Sequence, residues 1–373
     1  MSNDHQRIKF ITKDEKQRKF FTTLTKRINK HFKDKNLSKK ANTEMITKSV
    51  IMLSAYILPF LAFLYFQPNI WGTSGIFSIM GFAVAGIGMT VMHDAIHGAY
   101  SHKNWINKMM GYSLNLLGGA RINWYYQHNL LHHTYTNIIE WDEDINGKGT
   151  IKLEPTKETK PFHRFQWIYA FFFYSILTLY WMLLKDFVQF YKYTKSGLNK
   201  RTRLQNLSIV GQITAHKIVY FSVFLALPTL VFGIPFIYAL SGFLLMHFIA
   251  GLVLTIIFQL AHSVEGTEHP LPDENGNIDN AWAIHQMETT MNFARGNRFL
   301  NWYLGGLNYQ VEHHLFPQIC HVHYPQIAPI VKKTAREFDV PYKETATFRE
   351  ALNKHVSLLK RYGELPSADE AIV

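Results

Sequence analysis

Four apolar segments constrain this chain most strongly, because each approaches the roughly 20 residues that a helix needs to cross a bilayer. The segments cover residues 49–66, 73–92, 218–233 and 235–260. Short uncharged connections join them in pairs, at 67–72 and 233–235. The pattern predicts an all-α, polytopic membrane protein with four transmembrane helices in two hairpins.

The distribution of charge predicts the orientation of these helices. Basic residues are concentrated in an N-terminal arm, residues 1–44, and they include Arg7, Lys19, Lys26, Arg27, Lys30, Lys33, Lys35, Lys39 and Lys40. Cytoplasmic segments beside membrane helices are enriched in Lys and Arg, which also contact anionic lipid head groups. The net charge of +12 therefore indicates a cytosolic arm rather than nucleic acid binding. Both chain ends are predicted on the cytosolic side.

A fifth segment, residues 165–184, is also apolar and aromatic. Hydropathy alone would make it another crossing. Histidine groups at 93–133 and 310–314 flank it, and only an even number of crossings between them leaves both on one side of the membrane. The hairpin at 218–260 already supplies two crossings. We therefore expect 165–184 to lie in the inner interface, where Trp and Tyr are favoured.

The other segments predict a helical cap on the cytosolic side. They are residues 93–164, 185–217 and 261–373. Within the last of them, Pro270–Asn277 reads PLPDENGN, and its Pro and Gly content indicates a turn. We expect residues 45–335 to form one body and residues 336–373 a C-terminal cytosolic tail. The polar arm contains no apolar core typical of a signal peptide, so none is predicted.

Three histidine clusters carry the chemistry of this sequence. They are HDAIH, with His93 and His97; HNLLHH, with His128, His132 and His133; and QVEHH, with Gln310, His313 and His314. In a helix, a spacing of three or four residues turns the side chains of a cluster towards a common point. A single HxxxH pair would more often be structural. Three clusters on the same predicted side of the membrane favour metal binding.

His262 adds a further ligand candidate. The sequence QLAH places Gln259 and His262 at the inner end of the fourth apolar segment, at the predicted depth of His93. Imidazole suits iron, zinc, copper and nickel, and eight histidines are more than one ion can bind. Two ions are therefore predicted. Redox-active iron is favoured over hydrolytic zinc, which more often brings HExxH or a carboxylate ligand.

Other polar residues near the clusters have two interpretations each. We favour Gln310 as part of the metal shell, whereas for Gln259 the metal shell and an ordinary helix polar residue are equally supported. Asp94, Asp142 and Asp144 either accept hydrogen bonds from ligand imidazoles or are solvated carboxylates.

The remaining histidines that we considered are interpreted as structural. They are His102, His163, His216, His247, His269, His285, His321 and His323. His247 lies inside an apolar segment, where a polar group often has a function, but a hydrogen bond between helices would also explain it. The single cysteine, Cys320, excludes internal disulfides and multi-cysteine metal sites.

At these motifs the chain resembles the membrane fatty acid desaturase family. The matching residues are HDAIHGAYS, HNLLHHTYTNI followed by WDEDI, and GGLNYQVEHHLFP, and the resemblance covers about residues 45–335. A glutamine at the start of the third box is similar to front-end desaturases and to bacterial linoleoyl-CoA desaturase-like members. The resemblance implies that the catalytic iron ligands are His93, His97, His128, His132, His133, His262, His313 and His314, with Gln310 at the position of a ninth.

The resemblance also implies the reaction. Members of this family use O2 and external electrons at a centre of two iron ions, which cycle between Fe2+ and Fe3+, to insert a cis double bond into a long-chain acyl group. The acyl substrate is carried on CoA, on acyl carrier protein or in a lipid. Neither chain end contains the HPGG motif of a fused cytochrome b5 domain. We therefore expect a separate donor such as ferredoxin or cytochrome b5, with an acidic ferredoxin-like protein suited to a basic face.

The expected location is a bacterial inner membrane rather than the endoplasmic reticulum, with the active site on the cytosolic side. Two other functions are considered. A hydroxylase of the same histidine-rich class, acting on lipid or hydrocarbon, would begin with the same hydrogen abstraction. A non-catalytic metal sensor or transporter would need polar groups along its spans, which here are nearly free of ionisable residues apart from His247.

Overall fold

The computed structural model describes residues 8–145 and 149–364, which are mostly helical. Arg7 of the basic arm and residues 365–373 of the predicted tail lie outside the described residues. Five described helices are long and apolar enough to cross a membrane, where the sequence predicted four. They are Thr43–Phe66, Ile70–Ile96, Pro161–Lys195, Arg203–Val231 and Phe236–His262.

The helices and strands follow in chain order. The α-helices are α1 (Glu15–Asp34), α2 (Thr43–Phe66), α3 (Ile70–Ile87), α4 (His93–Ile96), α5 (Asn104–Gly111), α6 (Ser113–Leu116), α7 (Arg121–Trp124), α8 (His133–Tyr135), α9 (Gln166–Tyr180), α10 (Asp186–Lys195), α11 (Arg203–Phe221), α12 (Phe236–His262), α13 (Trp282–Thr289), α14 (Arg298–Tyr303), α15 (Gln310–Leu315), α16 (Tyr324–Glu337) and α17 (Phe348–Glu364). Segments of π-helix cover Gly88–Met92, Tyr125–His132, Trp181–Lys185 and Ser222–Val231, and 3₁₀ turns cover Glu143–Ile145, Pro161–Phe165 and His321–His323. The strands are β1 (Lys9–Phe10), β2 (Asn277–Ile278), β3 (Asn292–Phe293) and β4 (Glu344–Thr345).

The described residues form two compact units. The histidine unit takes in the described parts of residues 1–42, 127–171 and 257–373. The apolar-helix unit takes in residues 43–126 and 172–256.

In the histidine unit, helix α1 provides one wall of the core. The Asp14 side chain accepts a hydrogen bond from the Lys16 backbone N–H at 2.7 Å and so caps the helix start. Apolar residues every four positions form a stripe on one face. The stripe consists of Phe20, Leu24, Ile28 and Phe32, and it packs into a cluster that includes Ile327, Val331 and Ala335 of α16. The basic residues of α1 are thereby left on the other faces of the helix.

Two short parallel strand pairs fasten the loops of the histidine unit. Strand β1 pairs with β2 and β3 pairs with β4. The segment before β2 forms the turn predicted from PLPDENGN. There the Asp273 carboxylate accepts hydrogen bonds from the backbone N–H groups of Asn275 and Asn277, and Gly276 has a φ of +73°. A left-handed backbone of this kind favours glycine.

In the apolar-helix unit, glycines let long helices pack closely. A side chain at Gly81 would meet the backbone carbonyl of Met246, and one at Gly242 would meet the ring of Phe77, so α3 and α12 are in tight contact. Small residues have this role in membrane helices, where van der Waals packing replaces the hydrophobic effect. Large apolar side chains such as Leu58 and Tyr65 of α2 are exposed, as expected of a surface that faces lipid.

Candidate metal centre

The second histidine cluster lies on a π-helix, which explains how its three histidines come together. Helix α7 continues into the π-helical segment Tyr125–His132 and then into α8. In an α-helix, residues five apart point to different sides, whereas a π-helix has i→i+5 hydrogen bonds and a wider turn. The Nε2 atoms of His128 and His133 are accordingly 3.3 Å apart. The rings of His128 and His132 stack with centroids 5.3 Å apart.

The third cluster and His262 meet the second cluster within the histidine unit. Helix α15 carries the QVEHH motif, as predicted, and α12 ends at His262. The His133 ring lies 4.6 Å from that of His313 and 4.4 Å from that of His314, measured between centroids. The His262 ring lies 4.6 Å from that of His132. Six predicted ligands therefore converge here, and all six are buried: His128, His132, His133, His262, His313 and His314.

Hydrogen bonds on Nδ1 orient several of these rings. The Nδ1–H of His262 donates to the Thr289 carbonyl at 3.3 Å, and that of His314 donates to Oε1 of Gln286 at 2.7 Å. The two Nε2 atoms then point to one place, where they lie 2.9 Å and 3.5 Å from Nε2 of Gln310. Fixing one ring nitrogen in this way decides which nitrogen is presented to a metal.

His132 is oriented by a buried carboxylate. Its Nδ1 lies 3.0 Å from Oδ2 of Asp142, which also accepts the backbone N–H of Asn137 at 2.9 Å. Burial would raise the Asp142 pKa, but the charge and hydrogen bond of His132, together with the backbone N–H groups of Asn137 and Asp144, lower it. Burial would lower the His132 pKa, but the Asp142 charge raises it. Asp142 thus accepts a hydrogen bond from a candidate ligand, the first of the two interpretations considered.

Asp144 has a related position. Its Oδ2 lies 3.4 Å from Nδ1 of His132, and its Oδ1 accepts a hydrogen bond from the Gln127 amide. Two carboxylates of the WDEDI motif therefore face one imidazole. A negative charge beside a ligand imidazole raises its basicity, and with it the strength of a metal bond.

The chemistry of the donor set fits a metal ion. Ligand atoms of His132, His262 and His314 all lie within 4.8 Å of one another. Nitrogens that share one ion are about 3–4 Å apart, because each metal–nitrogen bond is about 2.1 Å. Nε2 of His132 and Oε1 of Gln310 are buried and form no hydrogen bond with any described residue. Burial lowers the His314 pKa well below its ordinary value, and the neighbouring histidines lower it further, which favours the neutral form that binds metals.

The first cluster belongs to the apolar-helix unit. After the π-helical segment Gly88–Met92 the chain continues as α4, so His93 and His97 fall on one side, as predicted, with ring centroids 4.9 Å apart. His93 is buried, and its Nδ1 lies 4.0 Å from Oδ1 of Asp94. The role of these two histidines as iron ligands remains a prediction from the sequence.

Hydrogen bonds account for several histidines that were interpreted as structural. Nε2 of His247 lies 3.0 Å from the Tyr220 hydroxyl, and its Nδ1 lies 3.3 Å from the Thr178 hydroxyl. His216 and His323 each have Nε2 within hydrogen-bond distance of a backbone carbonyl. The buried imidazole of His247 is therefore explained by contacts between helices.

Some residues of the site carry no recognisable sequence signal. Gln286 and Thr289 on α13 lie far from every histidine motif in the sequence. Tyr324, whose hydroxyl lies 3.2 Å from Nδ1 of His313, begins α16. Glu312 lies inside the third motif but is fully buried and accepts hydrogen bonds from Asn292 and Tyr342, and burial raises its pKa to about 7. Its position directly before His313 and His314 was the one available clue.

Comparison with known proteins identifies the family. The model of the family described as Fatty acid desaturase matches residues 68–346. The chain belongs to the fatty acid desaturase family. The matched range contains all three histidine clusters and His262. The chain is a fatty acid desaturase with apolar helices suited to a membrane, and its buried histidine clusters are compatible with a metal site.

Several relatives of this desaturase have named activities. It is 37% identical over 362 residues to an sn-1 linoleoyl-lipid 6-desaturase of Synechocystis sp., covering 96% of this chain and 98% of the relative. It is 36% identical over 345 residues to an sn-1 linoleoyl-lipid 6-desaturase of Arthrospira platensis, covering 92% of each. It is 34% identical over 364 residues to an acyl-lipid (8-3)-desaturase of Physcomitrium patens, covering 94% of this chain and 73% of the relative.

Proposed function

We propose that this desaturase inserts a cis double bond into a long-chain acyl group of a membrane lipid, using O2 and electrons from a separate donor. The observation that carries the proposal is the buried convergence of His132, His262 and His314 beside Gln310. The acyl-lipid substrate is suggested by the names of the similar proteins, several of which act on acyl lipids. A linoleoyl lipid is therefore the first substrate to test.

The proposed cofactor is a pair of iron ions. The six converging histidines of the histidine unit would hold them, and the family resemblance adds His93 and His97. When bound, this centre supplies the oxygen-activating redox chemistry that removes two hydrogens from neighbouring methylene carbons. Imidazole-rich sites suit iron in this role, and two ions need more ligands than one cluster provides.

The protein's own residues hold the ligands and exclude water. The Asp142 carboxylate accepts the Nδ1–H of His132 and so keeps the ring in one orientation. Gln286 performs the same orienting function for His314 through an amide oxygen. Because these side chains are buried, the site is shielded from bulk water.

Gln310 is proposed as the weak position of the ligand set. Its amide lies next to Nε2 of His262 and of His314, where a ninth histidine would be expected. An amide oxygen is a poorer ligand for iron than an imidazole nitrogen. We therefore propose that Gln310 would be the weakest member of the ligand set and would hold a metal weakly or through water. Gln259, also buried with Oε1 not hydrogen-bonded to a described residue, keeps its two interpretations.

The four-crossing topology is supported by contacts inside the apolar-helix unit. The turn between α11 and α12 is at Gly233. The Thr178 hydroxyl donates to the His247 carbonyl, which is about 20 Å along α12 from that turn at 1.5 Å per residue. Further along, Asp186 pairs with Lys217, about 24 Å from the turn along α11.

Beyond that pair, Phe190 packs against Ile213, about 30 Å from the turn along α11. Earlier in the same segment, the Tyr174 carbonyl accepts a hydrogen bond from the Thr255 hydroxyl, and Thr255 is about 33 Å from the turn along α12. Within this unit, residues 174–190 thus approach the turn and recede from it again. We propose that the segment Pro161–Lys195 enters the membrane shallowly without crossing, which leaves four crossings and a cytosolic cap.

An acidic electron donor is proposed to dock on the basic arm. Lys26, Lys33 and Lys35 of the arm are exposed. Complementary charge accelerates association and makes it sensitive to salt. Turnover with an acidic ferredoxin should therefore fall as ionic strength rises. Turnover independent of salt would contradict electrostatic docking on the arm.

Product analysis tests the proposed function directly. The chain is expressed with a suitable donor in a host that contains linoleoyl lipids, beside His132→Ala and His313→Ala, and fatty acids are analysed by mass spectrometry with double-bond localisation. A new double bond that both substitutions abolish is expected. A product heavier by one oxygen would indicate a hydroxylase instead. No change in any lipid, with iron and donor verified, would refute the acyl assignment.

A further inference from the structure

The apolar-helix unit contains a cavity of about 650 Å³ that none of the candidate ligands lines. One wall comes from the segment between α6 and the π-helix, including Arg121. The other comes from α11 and the residues before it, including Arg201 and Lys217. Cavities of this volume commonly hold small ligands. In the sequence, Arg121 lies seven residues before His128.

One acidic residue of the cavity, Asp186, is already neutralised. Its Oδ2 lies 2.8 Å from Nζ of Lys217, and both side chains are almost fully buried. Nζ of Lys217 also donates to the Gly118 carbonyl, and Asp186 accepts a hydrogen bond from Trp181. This ion pair therefore adds little net charge to the cavity.

The two arginines give the cavity its positive charge. Within the described residues, neither Arg121 nor Arg201 forms an ion pair. Nη1 of Arg201 donates to the Tyr126 hydroxyl at 2.5 Å and to Oδ1 of Asn199 at 3.2 Å. Arg121 lines the cavity beside Tyr112, and its guanidinium carbon lies 5.6 Å from the centre of that ring. Since neither guanidinium is paired with a carboxylate of the described residues, an anionic group in the cavity would meet uncompensated positive charge.

We propose that this cavity binds the phosphate-bearing head group of the acyl substrate, an inference that rests on the proposed function for the substrate. The planar fork of a guanidinium matches the oxygens of a phosphate and forms two parallel hydrogen bonds with it. Arg121 and Arg201 are the two candidates for this contact. A phospholipid and a nucleotide-linked acyl thioester both present phosphates, and the experiment separates them.

Binding can be measured without turnover. The full-length, iron-loaded protein in a non-ionic detergent is titrated with three probes that carry the same acyl chain: a phosphoglycerol lipid, an uncharged sugar lipid and an acyl-CoA. Quenching of tryptophan fluorescence reports binding. The variants are Arg121→Gln and Arg201→Gln, and Lys108→Gln, an exposed cation of the same unit outside the cavity, is the matched control.

Each arginine substitution should weaken binding of a phosphate-bearing probe by about tenfold or more, as expected for a lost charged hydrogen bond. Binding of the sugar lipid and the iron content should not change. Arg121→Lys should restore only part of the loss, because lysine lacks the fork. An effect confined to the phosphoglycerol lipid assigns the cavity to a lipid head group. An effect confined to acyl-CoA assigns it to a nucleotide carrier.

The proposal would be overturned if the substitutions weakened binding of the sugar lipid as much as binding of the phosphate-bearing probes. It would also be overturned if neither substitution weakened binding of any probe. Arg201 is more exposed than Arg121, so its substitution is less apt to disturb folding. A loss of binding in both variants therefore does not reflect a folding defect at Arg121 alone. Because the titration needs no product, a failed head-group site and a failed desaturase assignment give different results: the wild-type product profile is unaffected by the first and lost in the second.

Discussion

The two units use buried polar side chains in opposite ways. In the apolar-helix unit, Lys217 pairs with Asp186, and both ring nitrogens of His247 lie within hydrogen-bond distance of hydroxyls, those of Tyr220 and Thr178. In the histidine unit, a ring such as His132 is held on one nitrogen while the other is buried without a described partner. His132 thus keeps one nitrogen available for an ion, whereas both nitrogens of His247 contact hydroxyl groups.

The largest expected effect comes from removing a ligand candidate. His314→Ala should abolish the desaturated product and lower iron content at least tenfold, because tight binding depends on the complete ligand set. Iron is measured per folded protein by metal analysis. The matched control is His355→Gln, a buried histidine of the same unit whose Nδ1 donates to the Ser263 carbonyl at 2.6 Å. If the control loses as much iron, burial rather than ligation explains the result.

The next effect concerns the ion pair of the apolar-helix unit. Lys217→Met leaves the Asp186 charge buried without its cation and should reduce stability by about 3–5 kcal/mol. Iron content of the folded fraction should not change, in contrast to His314→Ala. Thermal unfolding in detergent measures the loss, and Lys217→Met with Asp186→Asn should recover part of it. A loss of iron at unchanged stability would contradict the distinction between the units.

A smaller effect is expected when only the orientation of a ligand is disturbed. Asp142→Asn keeps the shape but removes the charge beside His132, and it should lower iron affinity by about 10- to 100-fold. Asp279→Asn, on an exposed carboxylate of the same unit, is the control. Competition with a chelator measures affinity. An unchanged affinity would show that the carboxylate does not support the His132 ligand.

The smallest effect is the acid sensitivity of the histidine unit. Burial lowers the His355 pKa to about 4, so the folded protein resists a proton that the unfolded chain binds near pH 6.5. The contribution of His355 to the free energy of unfolding is fully present above pH 6.5 and decreases towards pH 4. At pH 5 it is smaller by on the order of 2 kcal/mol. His355→Gln should flatten the dependence of unfolding temperature on pH in this range. An identical slope would assign the acid sensitivity to other groups.

Sequence patterns predicted the parts of this molecule that depend on local spacing. The histidine motifs and the helical form of QVEHH follow from residues near one another in the chain. For Asp142 the sequence left two interpretations open, and the structure shows the contact with a ligand candidate. Gln286 and Tyr324 could not be predicted, because their contacts with His314 and His313 exist only after distant segments pack. The histidine spacing indicated a site but not the residues that hold its rings.

The predicted helix ends show a similar limit. The third apolar segment was expected from residue 218, but α11 begins at Arg203, where Thr202 and Gln205 form a capping box. The first turns of this helix are polar, so hydropathy did not reveal them. The segment 165–184 continues to Lys195 because α10 extends it beyond the apolar residues. Hydropathy locates the apolar part of a helix, whereas caps and packing decide where it ends.

The π-helix Tyr125–His132 makes chain length a constraint in its own right. Its wide turn brings the Nε2 atoms of His128 and His133 to within 3.3 Å of each other. If one residue between them were deleted, the two histidines would be four residues apart, which is the spacing of an α-helix. Such a deletion would keep every histidine of the motif and still rotate His128 by about 100° relative to the residues that follow. The number of residues between His128 and His133 is therefore as much a part of this motif as the histidines themselves.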